Sequence, residues 1–357
     1  MLELDGFRAL AVWMVLFDHM VDGWRLPPES TVWMPRILWQ FVAHGWLGVD
    51  LFFVLSGFLI TGILYDSRNE SYYFKNFYGR RALRIIPLYF TCIAIMYVCY
   101  GGPYFSLALL FIANFAPAFG VATPHGPGVF WSLSIEEHFY LVWPFAVRLL
   151  GSRALLALAI TIVVGSPVLR WLAVGAGISA EGVYQFSQFR LDGLALGACL
   201  ALWARSRHAH RRGSLVLAIS LLSAIAVVTL ATLHLSVLGT GTRMGVALRS
   251  TQAQFLFATS VALALAFRGS KVTAPLRCKF ALLSARLSYC IYLIHLSVGD
   301  FYYWTLRQFN VDQFAVWGPV GALAMRSVVI IGASFALSAL SQRFLEAPFM
   351  KLRRHFA

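Results

Sequence analysis

The stretch GFRALAVWMVLFDHMVDGW, residues 6–24, is apolar for most of its length yet carries Arg8 near one end and His19 near the other. As a helix, the steps from Arg8 to His19 turn it by about 1100°, roughly 20° past three full turns, over a rise of about 16 Å. The two side chains therefore share a face. Hydrocarbon does not accept an arginine and a histidine on one stripe unless that stripe meets protein or water, so the stripe is expected to line a cavity that serves as an active site. Asp18 and Asp22 flank His19, and Asp22, three residues on, is placed to orient an imidazole. The blander reading makes Arg8 an interfacial anchor and leaves His19 and the aspartates wetted at the outer end.

The rest of the composition agrees with a membrane setting. Of 357 residues 59% are hydrophobic and 12% charged, about half the charged fraction of soluble domains. Net charge is +14, but the lysines and arginines cluster at span ends, as inner-leaflet loops require, so the excess does not imply a nucleic-acid partner. Cys92, Cys99, Cys199, Cys278 and Cys290 lie mostly in apolar segments without metal-ligand spacing, and no metal is expected. Glu3 and Asp5 precede the first apolar run, with no basic n-region or small-residue cleavage site, so that run is expected to stay in the mature protein.

Apolar runs near 7–24, 45–65, 85–101, 104–118, 137–150, 155–174, 190–204, 214–234, 252–268, 283–305 and 319–341 are candidate spans. Charge tests them. Arg68, Lys75, Arg80, Arg81 and Arg84 put the 66–84 loop inside, and Arg205, Arg207, Arg211 and Arg212 claim the same side for 205–213. The odd number of candidates between these loops means that one fails to cross. Short, following Gly101-Gly102-Pro103 and holding Asn114 and Pro117, the 104–118 run is the one expected to be re-entrant or partly buried. The fold predicted is an all-α polytopic bundle of about ten spans plus that short helix, a single domain over 1–357 with both termini cytoplasmic. Its outer loops would be 25–44, 102–136, 175–189, 235–251 and 306–318. Of these, 102–136 is long, lacks lysine and arginine, contains His125 and reads as functional.

Further polar residues interrupt the spans. In GWLGVDLFFVLSGFLITGIL, Asp50 sits among apolar residues with Arg8 as its candidate partner, and Gly57 and Gly62 permit close helix approach. In SYYFKNFYGRRALRIIPLYF, Arg81 and Arg84 are three apart; on a helix they would grip a phosphate or diphosphate, or simply anchor anionic lipid. FWSLSIEEHFYLVWPF offers a capping box between Ser134 and Glu137, which leaves Glu136 or His138 to face a cavity as an acid/base or orienting group. FRLDGLALGACLA holds Arg190 and Asp192, expected to form a local ion pair, with Gly193 and Gly197 for packing. LSYCIYLIHLS puts His295 deep in a late span, as a structural hydrogen bond or a ligand.

Taken together and in this order, GFRALAVWMVLFDH, HGWLGVDLFFVLSGFLIT, NFYGRRALRIIPLYF, FWSLSIEEHFYLVWPF, FRLDGLALGACLA, LSYCIYLIHLS and RFLEAPF resemble the landmarks of the acyltransferase-3 family of bacterial integral-membrane acyltransferases. His138 departs from the glutamine usual in relatives. The resemblance implies transfer of an acetyl or other short acyl group from acyl-CoA, acetyl-CoA foremost, to a hydroxyl of a carbohydrate, glycan, lipid or macrolide-type acceptor, in the bacterial inner membrane. It matches Arg8 and His19 to the family's arginine-to-histidine pattern and Arg81 and Arg84 to its basic pair. The expected site has His19, Arg8 and Glu136 in catalysis and Arg81 and Arg84 on the donor phosphates. Asp50, Glu137, Asp22 and His295 are expected in support. The intramembrane ionisable residues would also serve a multi-pass transporter of a small molecule or lipid-linked saccharide, marked by flux without acyl-CoA turnover, or a non-catalytic partner in polysaccharide assembly.

Overall fold

The computed structural model describes residues 1–22, 44–206 and 242–356, with positions 213, 215, 217–222 and 225 between them. The 25–44 loop but for its last residue, the Asp22 side chain and most of the 214–234 candidate lie outside the described residues. Every regular element among those described is helical. In chain order the helices are α1 (Leu2–Asp22), α2 (Gly48–Ser67), α3 (Tyr73–Tyr100), α4 (Tyr104–Leu109), α5 (Phe130–Leu149), α6 (Ser152–Gly175), α7 (Ala180–Gln185), α8 (Leu191–Trp203), α9 (Arg243–Ala266), α10 (Lys279–Gln308) and α11 (Gln313–Ser341).

Among the described residues five stretches are long and apolar enough to cross a membrane: Gly45–Ser67, Tyr73–Tyr100, Ser152–Gly175, Lys279–Gln308 and Val320–Phe356. This is a helical membrane protein. The described residues yield fewer such spans than the ten the charge pattern calls for, since α1 and α5 carry charges along their length and α8 has only 13 residues. The 104–118 run is not a continuous helix. It breaks into the six-residue α4 and a 3-10 turn at Ala113–Phe119, with Tyr104 and Phe105 each 1% exposed, so it is the partly buried segment expected.

Two helices begin well before their apolar runs, because an apolar window registers only the hydrocarbon-facing part of a longer rod. α3 starts at Tyr73 rather than near 85, which places Arg81 and Arg84 on the helix itself. α5 starts at Phe130, so Ser134 lies inside it and donates to the Phe130 carbonyl at 3.1 Å. The expected capping box with Glu137 does not form, and Glu137 is a mid-helix residue.

Glycine decides the tightest packing. A Cβ at Gly57 would lie 1.9 Å from the Leu194 carbonyl oxygen, and one at Gly197 would lie 2.1 Å from that of Val54, so α2 and α8 meet backbone to backbone. Gly62, by contrast, faces the Arg205 guanidinium, which pairs with Asp66. α1 packs along α10, where Arg8 and Trp13 donate to Ser288 and Ser284, and antiparallel to α2, where Gly48 meets Ala11, while Gly6 meets Leu276 in the turn before α10. Glu3 pairs with Arg277 at 3.4 Å and accepts from the Gly269 N–H at 3.0 Å. The basic 66–84, 268–281 and C-terminal segments and Arg205 thus gather at the end of the bundle where α1 begins.

Candidate active site

A cavity of about 290 Å³ lies between α1, α2, α3, α5 and α10, near that basic end. Arg8, Arg81, Arg84 and Glu136, contributed by α1, α3 and α5, all line it. Arg8 donates to Ser288 Oγ at 3.2 Å and stands 3.8 Å from Asp5, one helical turn before it. The Arg81 guanidinium lies 3.9 Å above the Tyr140 ring, a stacking that holds a cation over a π face without neutralising it. Tyr140 hydrogen-bonds Ser56, and Glu136 meets both hydroxyls. Three guanidinium groups against Asp5 and Glu136 leave this cavity net positive. Its remaining walls are largely apolar side chains such as Phe52, Leu55 and Ile60. Such a cavity suits a ligand with an anionic end and a slender, less polar body.

His19 is not part of that lining. Along α1 it stands about 16 Å beyond Arg8, and its Nδ1 lies 2.9 Å from His295 Nε2 on α10. Arg326 donates to the His19 backbone carbonyl at 2.8 Å. Of the stripe expected to line one cavity, Arg8 lines this one and His19 stands with His295, so two different groups occupy its ends. The residue common to both is Tyr292. It lines the cavity, and its hydroxyl is 2.6 Å from Ser132. Its carbonyl lies 2.9 Å from His295 Nδ1.

That contact sets the hydrogen positions of the pair. His295 Nδ1 faces only carbonyls, those of Tyr292 and of Ile291 at 3.1 Å, and so must carry hydrogen. A neutral His295 then accepts at Nε2, His19 donates from Nδ1, and a neutral His19 has Nε2 as its acceptor nitrogen.

Asp50 is placed elsewhere than expected. Fully buried, it pairs with Arg190 at 2.8 Å rather than with Arg8, and accepts from Gln254 at 2.9 Å. Asp192 in turn pairs with Arg170 at 2.8 Å, so the expected local pair of Arg190 with Asp192 is replaced by two crossed pairs bridged by Gln254. In low dielectric each charge takes the partner that aligns best, and that partner comes from another helix. Glu137 sits behind the cavity within electrostatic reach of Arg81. His138 turns away to Ser187, 2.6 Å distant. The Asp22 side chain lies outside the described residues.

Sequence reasoning passed over Ser56, Ser132, Tyr140 and Ser288, because small hydroxyls and a tyrosine within apolar spans leave no periodic signal. It also passed over Arg170 and Arg326, 1% and 3% exposed; a lone arginine inside an apolar run was the available sign.

A family model described as an acyltransferase domain matches residues 1–339. The chain belongs to the acyltransferase-3 family. Among curated members it resembles the peptidoglycan O-acetyltransferase OatA of Listeria monocytogenes, 28% identical over 98% of this chain and 56% of that protein. It also resembles the O-acetyltransferase OatA of Staphylococcus aureus, 25% identical over 98% of this chain and 57% of that one. The chain thus spans about half the length of these acyltransferase-3 relatives. No solved structure matches it. The family match takes in both groups described above, from Arg8 on α1 to Arg326 on α11.

Proposed function

We propose that this protein is an integral-membrane O-acyltransferase of the bacterial inner membrane, with about ten spans and both termini in the cytoplasm. It moves an acetyl or other short acyl group from acyl-CoA to a hydroxyl of a cell-envelope glycan, peptidoglycan being the acceptor class that the relatives' names suggest. The observation that carries the reading is the net-positive cavity holding Arg8, Arg81 and Arg84. Arginine forks match the diphosphate of coenzyme A, and the apolar walls suit the pantetheine arm. Arg8, too far along α1 to reach the same atoms as His19, belongs with the donor site.

His19 takes the acceptor side of the chemistry. Its Nε2 accepts the hydroxyl proton as the acceptor oxygen attacks the thioester carbonyl. The new C–O bond forms, the C–S bond breaks, and the thiolate regains a proton to leave as coenzyme A thiol. His295 supports the imidazolium only through His19, its Nε2 accepting from the His19 Nδ1 hydrogen. Glu136, held by Tyr140 and Ser56, keeps Arg81 over the cavity.

Transfer of labelled acetyl from acetyl-CoA in isolated membranes tests the reading. His19→Ala and the Arg81→Ala/Arg84→Ala double variant are expected to lose transfer. Near-wild-type transfer by His19→Ala and Arg8→Ala would sink the site, and flux into vesicles without coenzyme A release would point to transport instead.

A further inference from the structure

Beyond α11 the chain continues through a π-helical turn (Gln342–Glu346), a short helix (Ala347–Lys351) and a 3-10 turn (Leu352–Phe356) that returns to α3. The last turn is docked by two contacts. Arg80 Nε donates to the Phe356 carbonyl at 2.6 Å. The Phe356 ring lies so close over Gly79 that a Cβ there would sit 2.2 Å from it. This docking brings Arg353 within electrostatic reach of Arg84, which is already within reach of Arg8 and Arg81. Arg84 therefore has guanidinium groups from α1, from its own helix and from the docked tail within reach. Three carboxylates stand against these four cations: Asp5 faces Arg8, Glu136 lies against Tyr140 and Ser56 within reach of Arg81, and Glu346, in reach of Arg84, accepts from Ser341 at 3.2 Å.

The tail docked on the start of α3 leaves one positive charge in excess among these groups, a field that attracts an anion. The family model ends at residue 339, so this tail lies outside what the family match covers. We propose that the 352–356 tail and the start of α3 form one phosphate site. It takes the 3′-phosphate end of the coenzyme A donor at Arg353, while Arg84 and Arg81 hold the diphosphate on the way into the cavity. The inference rests on the acyl-CoA reading. Phosphate chemistry is shared by anionic lipid headgroups, and the test separates the two sources.

The measurement is initial-rate kinetics of the purified full chain in proteoliposomes, with acetyl-CoA or 3′-dephospho-acetyl-CoA, in phosphatidylcholine alone or with phosphatidylglycerol. For Arg353→Gln, KM for acetyl-CoA is expected to rise about tenfold with kcat unchanged, as the loss of one charge-assisted contact implies. KM for the dephospho donor is expected to stay at the wild-type value. Phe356→Ala, which undocks the tail, should reproduce the pattern, and Arg353→Lys should restore part of the affinity. An unchanged KM for acetyl-CoA in Arg353→Gln overturns the proposal. So does an effect that appears only with phosphatidylglycerol, which would make the patch a lipid site. Absence of turnover of either donor by the wild-type protein would instead overturn the acyl-CoA reading itself.

Discussion

At the scale of single residues the His19–His295 contact makes the sharpest chemical statement, because two carbonyls beside His295 Nδ1 leave one consistent arrangement of hydrogens along the pair. Replacing His19 by alanine is expected to cost about 10²- to 10⁴-fold in kcat, the usual range for a general base. His295→Leu removes the acceptor of the Nδ1 hydrogen without touching the donor cavity. Its kcat should fall about ten- to a hundredfold while KM for acetyl-CoA holds, and a change in KM alone would refute its role behind His19. The buried Asp50–Arg190 pair gives a prediction of another kind. Asp50→Ala strands a guanidinium that is fully buried, so stability should drop by about 3–5 kcal/mol, read as a lowered unfolding midpoint in detergent. Arg81 and Arg84 were legible in the sequence because their relation is local, one helical turn. Asp50 was legible as a buried charge, but its partner stands 140 residues away, and no local pattern points there.

At the scale of elements, α2 and α8 are held at backbone contact by Gly57 and Gly197. Gly57→Val would push α8 away and drag Arg190 and Asp192 out of register with Asp50 and Arg170. A loss of more than the 1–3 kcal/mol typical of overpacking is expected, visible as poor recovery of folded protein from membranes. Gly62→Ala should cost less, since the neighbour is the mobile end of Arg205. The glycine spacing and the breaks within 104–118 could be seen beforehand, since Gly-Gly-Pro and a mid-run proline are local instructions to the backbone. Helix starts could not. Nothing in FWSLSIEEHF separates a cap at Ser134 from a helix already four residues old; that was settled by the 3-10 turn Gly126–Val129, which leads directly into α5.

At the scale of the whole molecule, orientation is the testable property. Cys278, between Arg277 and Lys279, is exposed at the basic end, and Cys99 is exposed near the far end of α3. In single-cysteine variants a membrane-impermeant maleimide added to intact spheroplasts is expected to label Cys99 and to spare Cys278 until the cells are opened. The reverse pattern would invert the proposed topology. Composition and charge placement alone determined that this is a helical membrane protein and which segments gather at one end, because the bilayer constrains length and lysine-arginine bias directly. Local spacing also determined which residues are too polar for lipid. Only the tertiary structure decided how those residues divide: Arg8, Arg81, Arg84 and Glu136 around a cavity, His19 with His295, Asp50 with Arg190. The physical reason is that a buried charge is satisfied by whichever group the packing of distant helices presents to it, and that choice is made in three dimensions.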